Sequence, residues 1–218
     1  MLDFATVDGV MTAPKTAPTR PNSDDEGENR IIDAALVQFE KVGIKKTTIE
    51  EVARQAGVDR ATVYRRIGSR DDLVHAVMNR EIMAVLAEVA EIPDRHDALA
   101  DLTADIFITV ITRWRTHPLA ARLLALEPER VLSKLTTDSE SVFTMCVSAT
   151  AAALEQAAQR GLLDSGTDLI TRAEIVCRIV HSMILSPHGV VPLETDEELA
   201  AFAHTYLVPI ITGPVPAA

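Results

Sequence analysis

The sequence predicts an all-α protein, with a small three-helix unit near the N-terminus and a larger helical domain after it. Three observations carry this. Hydrophobic residues make up 47% of the 218 while aromatics make up only 4%, so alanine, leucine, isoleucine and valine dominate, a composition that suits packed helices more than sheets. Apolar residues recur at three- and four-residue spacing along most of the chain, and no alternating strand pattern competes. Helix-start and helix-stop residues stand at the ends of these periodic runs.

Residues 1–28 hold three prolines and the run "NSDDEGEN" without apolar periodicity, and read as a disordered arm in which Met11 is an alternative start. From Asn29 a helix presents Ile32, Ala35, Leu36 and Phe39 on one face and stops at Gly43. Thr48 and Glu51 form a capping box that opens a second, short helix, and Gly57 suits the left-handed conformation that ends it. Asp59 caps a third helix, "RATVYRRI". Ser69 and Asp72 open a longer fourth helix, closed by Pro93, with its stripe on Leu73, Val74, Val77, Met78, Ile82, Leu86 and Val89.

Helices follow over about residues 95–116 and over "LAARLLALE". Pro128 suits the first turn of a long helix reaching Arg160, in which residues 141–154 carry no charge and should be buried on most sides. One more runs over about 168–186, and Thr195 with Glu198 opens a last one over 196–210.

Charge is unevenly spread. The net value is −11, yet residues 41–70 hold eight basic and three acidic side chains. A basic block inside an acidic chain matters more to a polyanion than the total does. Nothing supports secretion or membrane insertion: Asp3 and Asp8 precede any basic residue, and no apolar run reaches spanning length, so a soluble cytoplasmic protein is expected. Cys146 and Cys177 read as reduced core thiols. The six histidines form no ligand-spaced cluster, and no phosphate loop or nucleophile elbow appears, so no metal, cofactor or enzyme activity is expected.

The second and third helices are short and joined by a glycine-containing turn, the spacing of a helix-turn-helix. Ala53 lets them cross closely, and Val52, Ala56, Val58, Val63 and Ile67 seal a small core. Arg60, Thr62, Tyr64, Arg65 and Arg66 are left on the outer faces of the third helix, where such a helix enters a major groove and its arginines neutralise phosphate.

The segment "IIDAALVQFEKVGIKKTTIEEVARQAGVDRATVYRRIGSRDDLVHAVM" closely resembles the DNA-binding region of the TetR family of bacterial transcriptional regulators. The shared elements are the first-helix "AA…F…G", the "TT" start, "VA..AGV", "TVY", and a basic residue plus leucine opening the fourth helix. The match covers roughly residues 30–78. Two positions depart from it. Ile67 stands where many members have an aromatic residue, and Arg66 where another is frequent. Arg70 replaces a common lysine.

The resemblance implies an all-helical homodimer. Its domains would be an N-terminal arm (1–28), a helix-turn-helix DNA-binding domain (29–75) and a C-terminal ligand-binding and dimerisation domain (76–218). Carried over by position, Thr48, Tyr64 and Arg70 contact phosphate. Arg60, Thr62 and Arg65 face base edges, Arg66 adds charge, and Lys45 and Lys46 flank the motif. The expected partners are a palindromic double-stranded operator, a small-molecule effector and a second copy of the chain. Phe107, Trp114, Leu123, Phe143 and Met145 are the larger apolar residues available to an effector pocket. Ile175, Ile179, Met183, Phe202 and Tyr206 are those available to a dimer interface. The leading expectation is a ligand-responsive repressor whose fourth helix shifts on ligand binding and releases DNA. An activator or ligand-independent regulator is the alternative, and a small helical enzyme the remote one.

Overall fold

A computed structural model describes residues 23–135, 140–164 and 168–213, and the expected arm lies outside it as far as residue 22. Eleven α-helices and no strand occur among the described residues. They are α1 (Ser23–Val42), α2 (Ile49–Ala56), α3 (Arg60–Arg66), α4 (Arg70–Glu91), α5 (Leu99–Thr116), α6 (Pro118–Leu126), α7 (Pro128–Leu135), α8 (Glu140–Gln159), α9 (Leu169–Leu185), α10 (Asp196–Phe202) and α11 (Val208–Thr212).

Two apolar cores organise them. The first gathers Ile31, Ala35 and Phe39 of α1, Val52 and Ala53 of α2, Val63 of α3, and Leu73, Val74 and Val77 of α4. Leu119 and Leu123 of α6 and Val131 of α7 complete it, so the α6–α7 segment packs on the three-helix unit. The second core is built from α5, α8, α9, α10 and α11, around Leu102, Phe107, Leu154, Ala173, Leu199 and Leu207. Helix α4 joins the two: 22 residues at 1.5 Å each make it about 33 Å long, its first half lies in the first core, and its second half packs on α5 and α8.

Three expectations are corrected. The first helix begins at Ser23, inside the expected arm, because its acidic opening "SDDEGE" suits the positive end of the helix dipole. Helix α5 starts at Leu99, since Pro93 opens a 3₁₀ turn, Pro93–Arg95, before it. The expected helix from Pro128 to Arg160 is described as α7 and α8, and residues 136–139 between them lie outside the described residues. The last helix contains a π-turn over Ala203–Leu207. Pro209 lacks the N–H that would bond the Thr205 carbonyl, so the ladder shifts register just before it.

One buried charge was not anticipated. Arg172 of α9 is almost fully buried and donates to the carbonyls of Ile210 (2.6 Å), Ile211 (2.8 Å) and Gly213. It thereby satisfies the otherwise unpaired C-terminal carbonyls of α11 and meets the negative end of that helix.

Candidate nucleic-acid interface

Helix α2 is fixed at both ends. Glu51 N–H donates to the Thr48 hydroxyl (3.2 Å), and Thr48 N–H and O–H donate to the Glu51 carboxylate (2.9 and 2.8 Å). These bonds, the backbone one first, hold the Glu51 carboxyl below its ordinary range. Gly57 ends the helix at φ +67°, where a Cβ would be strained, and Val58 N–H returns to Ala53 O at 3.0 Å. Asp59 then caps α3 through Thr62 N–H (2.6 Å), a bond that likewise depresses its carboxyl. Two short helices are therefore held at a fixed angle by three side-chain caps and the Gly57 turn.

The outer face of α3 is basic and pre-ordered. Arg60 reaches one turn along the helix, donating to the Tyr64 hydroxyl (3.1 Å) with its guanidinium 5.3 Å from the ring centre. Arg65 donates to Thr62 Oγ1 at 3.0 Å. Arg60, Tyr64 and Arg65 are exposed and Thr62 is half-exposed, while Val63 between them is buried. Arg66 lies apart from it, its guanidinium packed against Gly27 of α1 so closely that a Cβ at residue 27 would collide with it.

The remaining basic residues divide. Lys46 is exposed beside α2. Lys45 forms an ion pair with Glu129 of α7 at 2.8 Å. Arg70, expected to hold phosphate, donates to Thr47 O (3.2 Å) and to Ile44 O, tying the start of α4 to the α1–α2 turn. Its bidentate fork suits that pair of carbonyls better than a lysine would. Arg30 plays a similar part, capping the end of α2 through Ala56 O at 2.9 Å. Neither tie was legible in the sequence, where an arginine beside a motif reads equally well as a phosphate contact.

The larger domain contains a cavity. Partly open and of about 270 Å³, it lies among α4, α5, α6, α8, α9, the π-turn and α11. Phe107, Trp114, Leu123 and Phe143 line it, whereas Met145 does not. Val142, Phe143, Cys146 and Thr150 share the cavity side of α8, and Met145 is rotated about 100° from Cys146. Cys146 and Cys177 are free thiols in the same wall. Burial pushes Cys146 up to about 11 and Cys177 also upward, so both stay protonated and poorly nucleophilic.

Of the residues expected at a dimer interface, Ile175 of α9 and Tyr206 of the π-turn are exposed. Ile179 and Met183 are half-buried. Phe202 stacks within its own chain, with ring centres 5.6 Å from Phe107 and 5.0 Å from Tyr206.

Two capped helices crossing at a glycine turn, with an arginine–tyrosine face outward, define a helix-turn-helix DNA-binding protein. Residues 31–77 match the family described as bacterial regulatory proteins, tetR family. An HTH-type transcriptional regulator of Mycobacterium bovis is 32% identical over 158 residues, 72% of this chain and 79% of that protein. Among solved structures, the TetR family repressor AlkX of Dietzia sp., implicated in biodegradation of n-alkanes, matches with a TM-score of 0.64 at 19% identity, over 89% of this chain and 97% of that one. SmeT, repressor of a Stenotrophomonas maltophilia multidrug efflux pump, matches with a TM-score of 0.55 at 19% identity, over 87% and 96%. The chain belongs to the tetR family of bacterial regulatory proteins and is a transcriptional regulator with an N-terminal DNA-binding domain. Among the described residues, no helix is long and apolar enough to cross a membrane.

Proposed function

We propose that the protein is a repressor that binds a two-fold symmetric operator as a homodimer and is released when a small molecule fills the cavity. The observation that carries this reading is that the cavity shares its walls with the helices that position the DNA-binding unit. Met78, Ile82 and Val89 of α4 line it, as do Leu119 and Leu123 of α6, and these two leucines also belong to the first core. The end of α6 is bonded to the α1–α2 turn: buried Glu127 accepts Lys45 N–H at 2.7 Å, and Arg122 donates to Lys41 O at 2.6 Å. A ligand that spreads α4 from α6 therefore acts on both supports of the reading helix. In a dimer this alters the spacing of two heads that must fit half-sites about one DNA turn, roughly 34–36 Å, or a multiple of it apart. Exposed Ile170, Ile175 and Tyr206 on and near the last helices support pairing through that face.

Capture of sheared genomic DNA on the purified protein, followed by sequencing at physiological salt, tests the reading. A few palindromic sites beside genes are expected. Uniform recovery that fades with salt would mean backbone affinity only.

A further inference from the structure

Deepening that reading, we infer that the cavity takes an uncharged, predominantly apolar compound of roughly a dozen non-hydrogen atoms that carries a hydrogen-bond acceptor. The size follows from the volume: about 270 Å³ filled at a packing density of ~0.75 leaves room for roughly twelve such atoms. The apolar character follows from the wall, in which Ile82, Leu86, Ile106, Phe107, Val110 and Val180 are typical.

The absence of charge follows from how the ionisable and polar groups of that wall are already used. Glu81 is paired with His117 at 3.0 Å and with Arg80 at 3.6 Å. Arg113 is paired with Glu88 at 2.7 Å. His117 is doubly committed, since its Nδ1 accepts Leu119 N–H at 3.2 Å to cap α6. Thr103 donates to Leu99 O (2.8 Å), and Thr150 is in contact with Cys177 Sγ at 3.4 Å. Both thiols are protonated, so neither offers a negative charge to a cation. An ammonium ligand, and a carboxylate unless it turns to the His181 ring, would have to break one of these pairs or stay unpaired in the cavity, and an unpaired buried charge is strongly disfavoured.

What remains is hydrogen bonding without charge. The Trp114 indole is among the wall residues, and its N–H is the donor assigned to the ligand. Its N–H is a donor only, so it selects an acceptor such as a ketone, ester or ether oxygen. The His181 ring, tilted against Phe143 with centres 5.8 Å apart, is a second polar group of the wall.

The chain has one tryptophan, so its fluorescence reports on the cavity. Full-length protein is titrated with 2-decanone, decanoate and decylammonium, which share a chain and differ in the head group. 2-Decanone is expected to change Trp114 emission and saturate, with the two ions binding at least about a hundred-fold more weakly. Calorimetry on Trp114→Phe, which keeps a ring and removes the N–H, should show about five-fold weaker 2-decanone binding. Equal or tighter binding of either ion, no binding of 2-decanone, or an unchanged affinity in Trp114→Phe would overturn the inference. Operator affinity, measured in the same titrations, separates it from the repressor reading. If 2-decanone binds and DNA stays bound, the ligand class stands and the release mechanism falls. If decanoate binds and releases DNA, the mechanism stands and the ligand class falls.

Discussion

The DNA-binding unit and the cavity domain solve opposite problems with the same helices. The first is small, and its geometry is fixed by polar groups: the Thr48–Glu51 box, the Asp59 and Ser69 caps, and the Arg30 and Arg70 ties to backbone carbonyls. The second is larger, held mainly by apolar packing, and leaves a space at its centre. Polar fastening keeps a reading surface rigid because each bond has one geometry, whereas loosely filled apolar packing can admit a guest.

The largest expected break in this contrast is functional. Arg60→Ala combined with Tyr64→Ala removes the arginine–tyrosine face from both heads of the proposed dimer and should weaken operator binding about a thousand-fold, from roughly 1–3 kcal/mol per lost base contact. Gel-shift titration measures the loss, while the Trp114 response to ligand should be unaltered. An operator affinity within a few-fold of the parent would remove these residues from the interface.

Next in size is Arg172→Ala, which leaves the carbonyls of Ile210, Ile211 and Gly213 without their donor inside the larger domain. A cost of about 3 kcal/mol is expected, or roughly 6–12 °C in Tm by calorimetry for a chain of this length. A shift under about 2 °C would show that the C-terminal helix does not depend on it.

Glu127→Ala attacks the link between the regions. The Lys45 N–H loses its acceptor, so ligand should still quench or enhance Trp114 emission while its effect on operator affinity shrinks about ten-fold, within the usual range of coupling energies of roughly 1–3 kcal/mol. Retention of the full effect would place the coupling outside the Glu127–Lys45 bond.

The smallest effect concerns pH. The folded-state carboxyls of Glu51, Asp59 and Asp72 lie below their ordinary values of 4.5, 3.8 and 3.8 because each accepts cap hydrogen bonds. Their stabilisation is thus complete above those values and is lost as pH falls through the lower, folded ones. Melting curves taken between about pH 5 and pH 2 should show Tm declining, and Asp59→Ser, which caps without titrating, should decline less steeply. Identical slopes would mean that this cap carries none of the pH dependence.

The same contrast explains what could be read from the sequence. Caps, glycine turns and the face of α3 are written within a few consecutive residues, so Thr48, Gly57, Asp59 and the outward Arg60, Thr62, Tyr64 and Arg65 were all legible. The cavity draws on six helices and the π-turn, from residues up to more than 100 positions apart, and any leucine or phenylalanine there reads as ordinary core. Phe107, Trp114, Leu123 and Phe143 were picked for their size, and the same criterion also picked Met145, which points elsewhere. Long-range polar ties were invisible for a similar reason. Nothing near Arg172 in sequence hints at Gly213, and nothing near Arg70 distinguishes a carbonyl from a phosphate.

The close packing of Gly27 against Arg66 has a consequence for protein engineering. The recognition helix is not a free-standing cassette, because one of its arginines is seated on Gly27 of α1. Transplanting residues 60–66 into a relative with a side chain at the position of Gly27 would push that arginine off its seat and redirect it. A chimera meant to inherit this reading specificity has to carry both helices.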